Sequence, residues 1–196
     1  MGFRDQVVLT ANAEVDVSWH EDTDRILEYF TVSTGTRWTR DTARKISWCT
    51  YFAHFVLVKA GVQPLPQAGT SESLKSVGGS VGRFLKYTTE ALKKTGHTGN
   101  GVYEFHAAKL SSYAPRAGDL YYLPNHNNHV GVIVGVNGSQ IYTVDGNAGP
   151  AGWDKRFFVS YQGKTPVKRI GDGFVYKPGA PKTLKQGDFY IEIPEG

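Results

Sequence analysis

The stretch His129-Val130-Gly131-Val132-Ile133-Val134-Gly135-Val136-Asn137-Gly138-Ser139-Gln140-Ile141-Tyr142-Thr143-Val144-Asp145 reads as two strands folded back on each other. β-Branched residues fill both arms, and Asn137-Gly138 between them is a strong hairpin signal. The arms are a central strand at 129–136 and a return strand at 140–145. Just upstream, Asp119-Leu120-Tyr121-Tyr122-Leu123 reads as a further strand, with Pro124-Asn125-His126-Asn127-Asn128 as a loop. Downstream, residues 149–196 are punctuated by Gly and Pro, with strand-like pieces at 156–161, 173–176 and 188–193.

Ahead of Pro115 the period is helical. Residues 47–61 carry apolar side chains on nearly every side, the pattern of a helix buried inside a domain. Ser47 is its expected N-cap and Gly61 its stop. A shorter helix is expected at 22–30, capped by Asp22 or Thr23, within an otherwise mixed and polar 1–47. Gln63-Pro64-Leu65-Pro66 forces a turn, and 83–94 is a second helical pattern closing at Gly96. A loop with Gly99 and Gly101 follows, then a short helix at 104–111. Helices first and an antiparallel sheet afterwards make an α+β fold. The expected organisation is one domain over 1–196. Its core lies at about 45–150, with an N-terminal extension at 1–44 and a C-terminal strand-rich extension at 151–196.

Composition excludes several classes. Four Trp, eleven Tyr and ten Phe in 196 residues are too many for a disordered chain. A single cysteine makes no internal disulfide and no Cys-rich zinc site. No apolar run approaches the ~18 residues of a membrane-spanning helix. A formal charge of +4 is a mild excess without any Lys/Arg block, so a nucleic-acid partner is not expected. The first residues hold only Val7-Val8-Leu9 as an apolar run, too short for a secretory signal. The expectation is synthesis in the cytoplasm and, for work outside it, export by another route.

Cys49 falls at the opening turn of the buried helix, where unpaired N–H groups and the helix dipole favour a thiolate. A lone cysteine is commonly just a small buried hydrophobe, so a base must be found. His54 is five residues on, roughly 140° around the helix, and cannot face the same spot. His20, His97 and His106 sit in polar or weakly patterned segments and are expected at the surface. His129 opens a strand with Gly131 and Gly135 leaving its face uncrowded, and is the expected base; His126, in the loop, is expected at the surface or against substrate. Asp145 ends the return strand. A strict Asn137-Gly138 loop sets His129 opposite Gly146 and turns Asp145 away. A three-residue loop, Val136-Asn137-Gly138, sets His129 directly opposite Asp145, and this bulged turn is the expectation. Under the tight turn, Asn147 or an Asn of the 125–128 loop must orient the ring instead. A metal-dependent alternative would use His126 and His129 with Asp119 or Asp145.

The ordered set of Trp48-Cys49 opening an apolar helix, Gly118-Asp119-Leu120, His129-Val130-Gly131 and Asp145-Gly146-Asn147 resembles the CHAP branch of the NlpC/P60 superfamily, over roughly residues 45–150. Those are papain-like cysteine amidases and peptidases, mostly of bacterial cell-wall peptides. The resemblance implies a papain-like fold, its nucleophile helix packed on a small antiparallel sheet. It makes Cys49 the nucleophile, His129 the base and Asp145 the orienting carboxylate, although the family often has Glu there. Trp48, Tyr51, His126 and Asn147 are the expected substrate contacts, and neither cofactor nor metal is expected. The implied activity is hydrolysis of an amide in peptidoglycan stem peptides by a monomer, as a secreted antibacterial toxin of the type VI kind with a cognate immunity protein. A phage-type lysin, a host-protein deamidase or acyltransferase, and an inactive wall-binding module are the alternatives.

Overall fold

A computed structural model describes residues 2–62, 97–99, 104–124, 129–148, 173–193 and 195. The expected turn at 63–66, helix at 83–94, strand at 156–161 and His126 lie outside the described residues. Helices α1 (Phe3–Ala13), α2 (Thr23–Thr34), α3 (Arg40–Ala43) and α4 (Cys49–Lys59) precede the sheet. Its strands are β1 (His97–Gly99), β2 (Glu104–Ala107), β3 (Leu120–Leu123), β4 (His129–Asn137), β5 (Gln140–Ala148), β6 (Phe174–Tyr176), β7 (Lys182–Thr183) and β8 (Phe189–Glu192). They pair antiparallel in the order β1-β2-β8-β3-β4-β5-β6, and β7 joins the turn-side end of β5. The fold is α+β. β8, from the segment read as a C-terminal extension, lies inside the sheet between β2 and β3.

α4 is buried from Tyr51 through Leu57, as its all-round apolar sequence requires. It packs on α1, α2, β4 and β5. Gly146 makes the approach of β5 to α4 close, since a Cβ there would lie 2.6 Å from Phe52 Cγ. Leu120, Tyr122, Val130, Val132 and Val144 join the helices in the main core. Tyr121, Ile133, Ile141, Leu184 and Tyr190 form a second cluster. Alternation along β3 thus sends Tyr121 to one face and its neighbours to the other.

Several local expectations are corrected. α1 was hidden in the polar 1–47 because only Val7 and Ala11 of it are fully buried, one turn apart. α2 runs past 30 to Thr34, ending at Gly35 with φ +65°. Residues 104–111 keep only a helical turn, Ser111 N–H to Ala107 O at 3.0 Å. Their start is β2, drawn into the sheet by β8 far along the chain. Ser47 is not the N-cap of α4. Trp48 occupies that position, and the Ser47 hydroxyl is engaged by Asn147 across the sheet end. Gly61 does follow the helix end, with φ +78°.

Asp119 is fully buried and is a structural anchor. It is paired with Arg4 of α1 and accepts from Tyr113 Oη at 2.7 Å, Arg116 N–H at 2.8 Å and Ile193 N–H at 3.1 Å. Gly118 has φ +95°, and a Cβ there would lie 2.7 Å from Arg4 Cα, so the Gly-Asp pair seats α1 against the sheet. Among the described residues no helix is long and apolar enough to cross a membrane.

His54 is buried in α4, and neither ring nitrogen has a hydrogen-bond partner among the described residues. Burial pushes its pKa down from 6.5 to about 4. The unfolded chain then binds a proton between those values while the fold does not. The stability present above pH 6.5 is lost as pH falls toward 4, amounting to about 3 kcal/mol. Thermal melts of the wild type should fall over this window, and those of His54→Leu should stay nearly flat.

Candidate active site

Cys49 is the first residue of α4 and is 4% exposed. The backbone N–H of Val130 and the ring of His129 both hydrogen-bond its sulfur, and Ser47 Oγ lies 3.7 Å away. Burial alone would raise the thiol pKa. The His129 hydrogen bond and charge, with Val130 and Ser47, outweigh burial and bring it from 9.0 to about 7.

His129 opens β4, and its Nε2 is 3.5 Å from Asp145 Oδ1. Burial opposes a charged ring, but Asp145 and Cys49 hydrogen bonds and charges raise its pKa from 6.5 to about 9. The two values cross. Between about 7 and 9 the stable form is a thiolate beside an imidazolium, a nucleophile and a proton donor already separated.

Asp145 is 2% exposed and fully matched by donors. Oδ1 accepts from the Tyr121 hydroxyl and faces His129. Oδ2 accepts from Thr143 Oγ1 at 3.1 Å and from Lys182 Nζ. Burial raises this carboxyl, yet the His129 hydrogen bond and the Lys182 charge hold it at about 2.

The route by which Asp145 reaches the ring differs from the expected one. The hairpin closes at Asn137↔Gln140 around Gly138-Ser139, with Gly138 at φ +59°, so there is no three-residue loop. A bulge between Ile133 and Gly135 then shifts the register by one, giving Val132↔Val144. Continuing that register sets Gly131 opposite Asp145 and His129 opposite Asn147. Tyr121 pairs with Gly131 from the other side. Tyr121, Gly131 and Asp145 therefore form one row, and His129 meets Asp145 on the diagonal. A Cβ on Gly131 would collide with Asp145 Oδ1 and lie 2.6 Å from Tyr121 Cε1. The glycine is the gap through which the carboxylate reaches.

Asn147 does not orient the ring. It has φ +54°, and its Nδ2 donates to Ser47 Oγ at 3.0 Å. With that lone pair used, the Ser47 hydroxyl proton is left to point toward the sulfur. Two expected substrate contacts are corrected: Trp48 is fully buried against Tyr29 at 5.8 Å, and Tyr51 packs on Phe30 at 4.2 Å. The same apolar periodicity that buries α4 buries them. His106 is not a surface residue either, since it bonds Glu192 at 2.9 Å and stacks on Tyr113 at 3.8 Å. Asp119, committed to Arg4 and Tyr113, is unavailable as a metal ligand beside His129. Among the described residues no three His, Cys, Asp or Glu side chains are grouped to hold a metal ion.

Sequence reasoning missed Thr143, Lys182 and the roles of Ser47 and Tyr121. Thr143 and Tyr121 had a signal, since alternate residues of a strand share a face. Lys182 had none. No family model matches the chain, and neither a curated protein nor a solved structure matches it.

Because Cys49 is the only cysteine, iodoacetamide reads its ionisation without ambiguity. The alkylation rate should rise with a midpoint near pH 7. His129→Ala should move that midpoint up by roughly two units, and Gly131→Ala should move it the same way while every ionisable group remains.

Proposed function

We propose that the protein is a cysteine-dependent peptidoglycan hydrolase of the papain-like CHAP and NlpC/P60 kind, cutting an amide bond in cell-wall stem peptides. The observation that carries this reading is the Cys49–His129–Asp145 chain, buried at its two ends and half-buried at the ring, with its crossed pKa values. The Cys49 thiolate attacks the amide carbonyl carbon. The oxyanion takes hydrogen bonds from the Cys49 backbone N–H and the Ser47 hydroxyl, which Asn147 orients. The C–N bond breaks as the His129 imidazolium gives its proton to the leaving amine. Water, deprotonated by His129, then opens the thioester, and the carboxylate product leaves a thiolate and imidazolium behind.

Asp145 stays ionised throughout and fixes the tautomer and direction of the ring. A binding module that had lost catalysis has no use for this arrangement, which favours an enzyme. The same thiolate chemistry on a protein glutamine, a deamidase, is the second reading, since the Cys49–His129 pair can attack either amide. In the peptidoglycan reading the protein works outside the cytoplasm as an antibacterial toxin, and the producing cell carries an immunity protein.

Purified protein incubated with peptidoglycan should release soluble fragments whose masses, by mass spectrometry, show new peptide termini. Cys49→Ala should abolish them. An intact wall together with a deamidated protein substrate would replace the first reading with the second. Ser47→Ala should lower kcat by about 10–100-fold with little change in KM, because the hydroxyl turns from the sulfur to the oxyanion as the thiolate attacks and meets no part of the resting substrate. The pH profile of kcat/KM should be flat between about 7 and 9, falling below as the thiolate protonates and above as the imidazolium loses its proton.

A further inference from the structure

Lys182 begins the two-residue strand β7 and pairs with Ile141, at the turn-side end of β5 and four residues before Asp145. A lysine on so short a strand would ordinarily extend into water. Its ammonium instead turns inward. It donates to Asp145 Oδ2 and to the Tyr121 hydroxyl oxygen, and it lies 4.7 Å from the Tyr121 ring centroid. The carboxylate it meets already has Tyr121, Thr143 and His129. A fourth donor is not needed to satisfy hydrogen bonding alone. What Lys182 adds is charge.

We propose that Lys182 is a positioning residue of the Cys49–His129–Asp145 site, offsetting the Asp145 charge and thereby limiting how tightly the carboxylate holds the His129 imidazolium. The inference rests on the hydrolase reading for its purpose, though not for its test. With Lys182 in place the charges alternate along the row: thiolate, imidazolium, carboxylate, ammonium. Their sum is zero, and the carboxylate at the centre of the row is cut off from water. Without it the imidazolium stands between two anions with nothing to balance the second, and becomes a poor acid for a leaving amine. Tyr121 couples the two ends, since its hydroxyl donates to Asp145 and accepts from Lys182. The charged and titratable groups around His129 among the described residues are Cys49 from α4, Asp145 from β5 and Tyr121 from β3, with Lys182 reaching it through Asp145.

The test uses the full chain and two substrate-free readouts, the pH dependence of Cys49 alkylation by iodoacetamide and the NMR titration of the His129 ring. Wild type should show a thiolate step and, higher, an imidazolium step. Lys182→Gln, which keeps an N–H donor and drops the charge, should raise the imidazolium step by about one pH unit. Lys182→Arg, which keeps the charge, should leave it within a few tenths of wild type. Lys182→Met retains the aliphatic stem over the Tyr121 ring and reads the same shift if the amide variant does not fold. An imidazolium step that stays put or falls in the folded neutral variants overturns the proposal while leaving the Cys49–His129 pair standing. A wild type that titrates as one ordinary thiol, with no second step, overturns the hydrolase reading and this inference with it.

Discussion

A carboxylate buried away from water must be surrounded by donors or it will not stay charged, and Asp145 meets that demand with groups from four strands. Tyr121 comes from β3, His129 from β4, Thr143 from β5 itself and Lys182 from β7. The sheet must be assembled in one register for these groups to converge. Gly131 is the condition for it, because any side chain there would occupy the space of the carboxylate. Site and sheet are thus one constraint. A slip by a single residue would carry Asp145 to the opposite face and leave both His129 and Lys182 without their anion.

A second buried carboxylate organises the other end of β3. Asp119 ties α1, the 113–116 loop and the end of β8 through Arg4, Tyr113, Arg116 and Ile193. Two aspartates therefore flank the sheet with opposite duties. Asp119 binds a guanidinium with no proton to exchange and serves only structure. Asp145 binds an imidazole, whose proton can move, and so its charge has chemical consequences for the thiol beyond it.

Much of the site was legible because its residue types sit at ends of elements with strong local patterns. An apolar run places Cys49 at a helix start, and a Val-rich run places His129 at a strand start. The side partners were less legible. Trp48 and Tyr51 invite a reading as cleft aromatics, but in a helix buried on all sides such rings are packing. Lys182 carries no local sign at all, being an ordinary lysine in a Gly/Pro-punctuated segment that the sheet folds back onto β5.

The α+β class, the buried helix at 49–59, the β4–β5 hairpin and the presence of Cys49, His129 and Asp145 follow from periodicity and turn chemistry, which act over a few residues. The register does not. The turn signal at Asn137-Gly138 admits several closures, and the observed one at Gly138-Ser139 brings Asp145 to His129 only with the bulge near Val134. The conversion of 104–107 from helix to strand, and the inward turn of Lys182, likewise depend on partners far along the chain. Local rules choose an element's type. Which residues then face each other is decided by packing, where one closest fit excludes the rest.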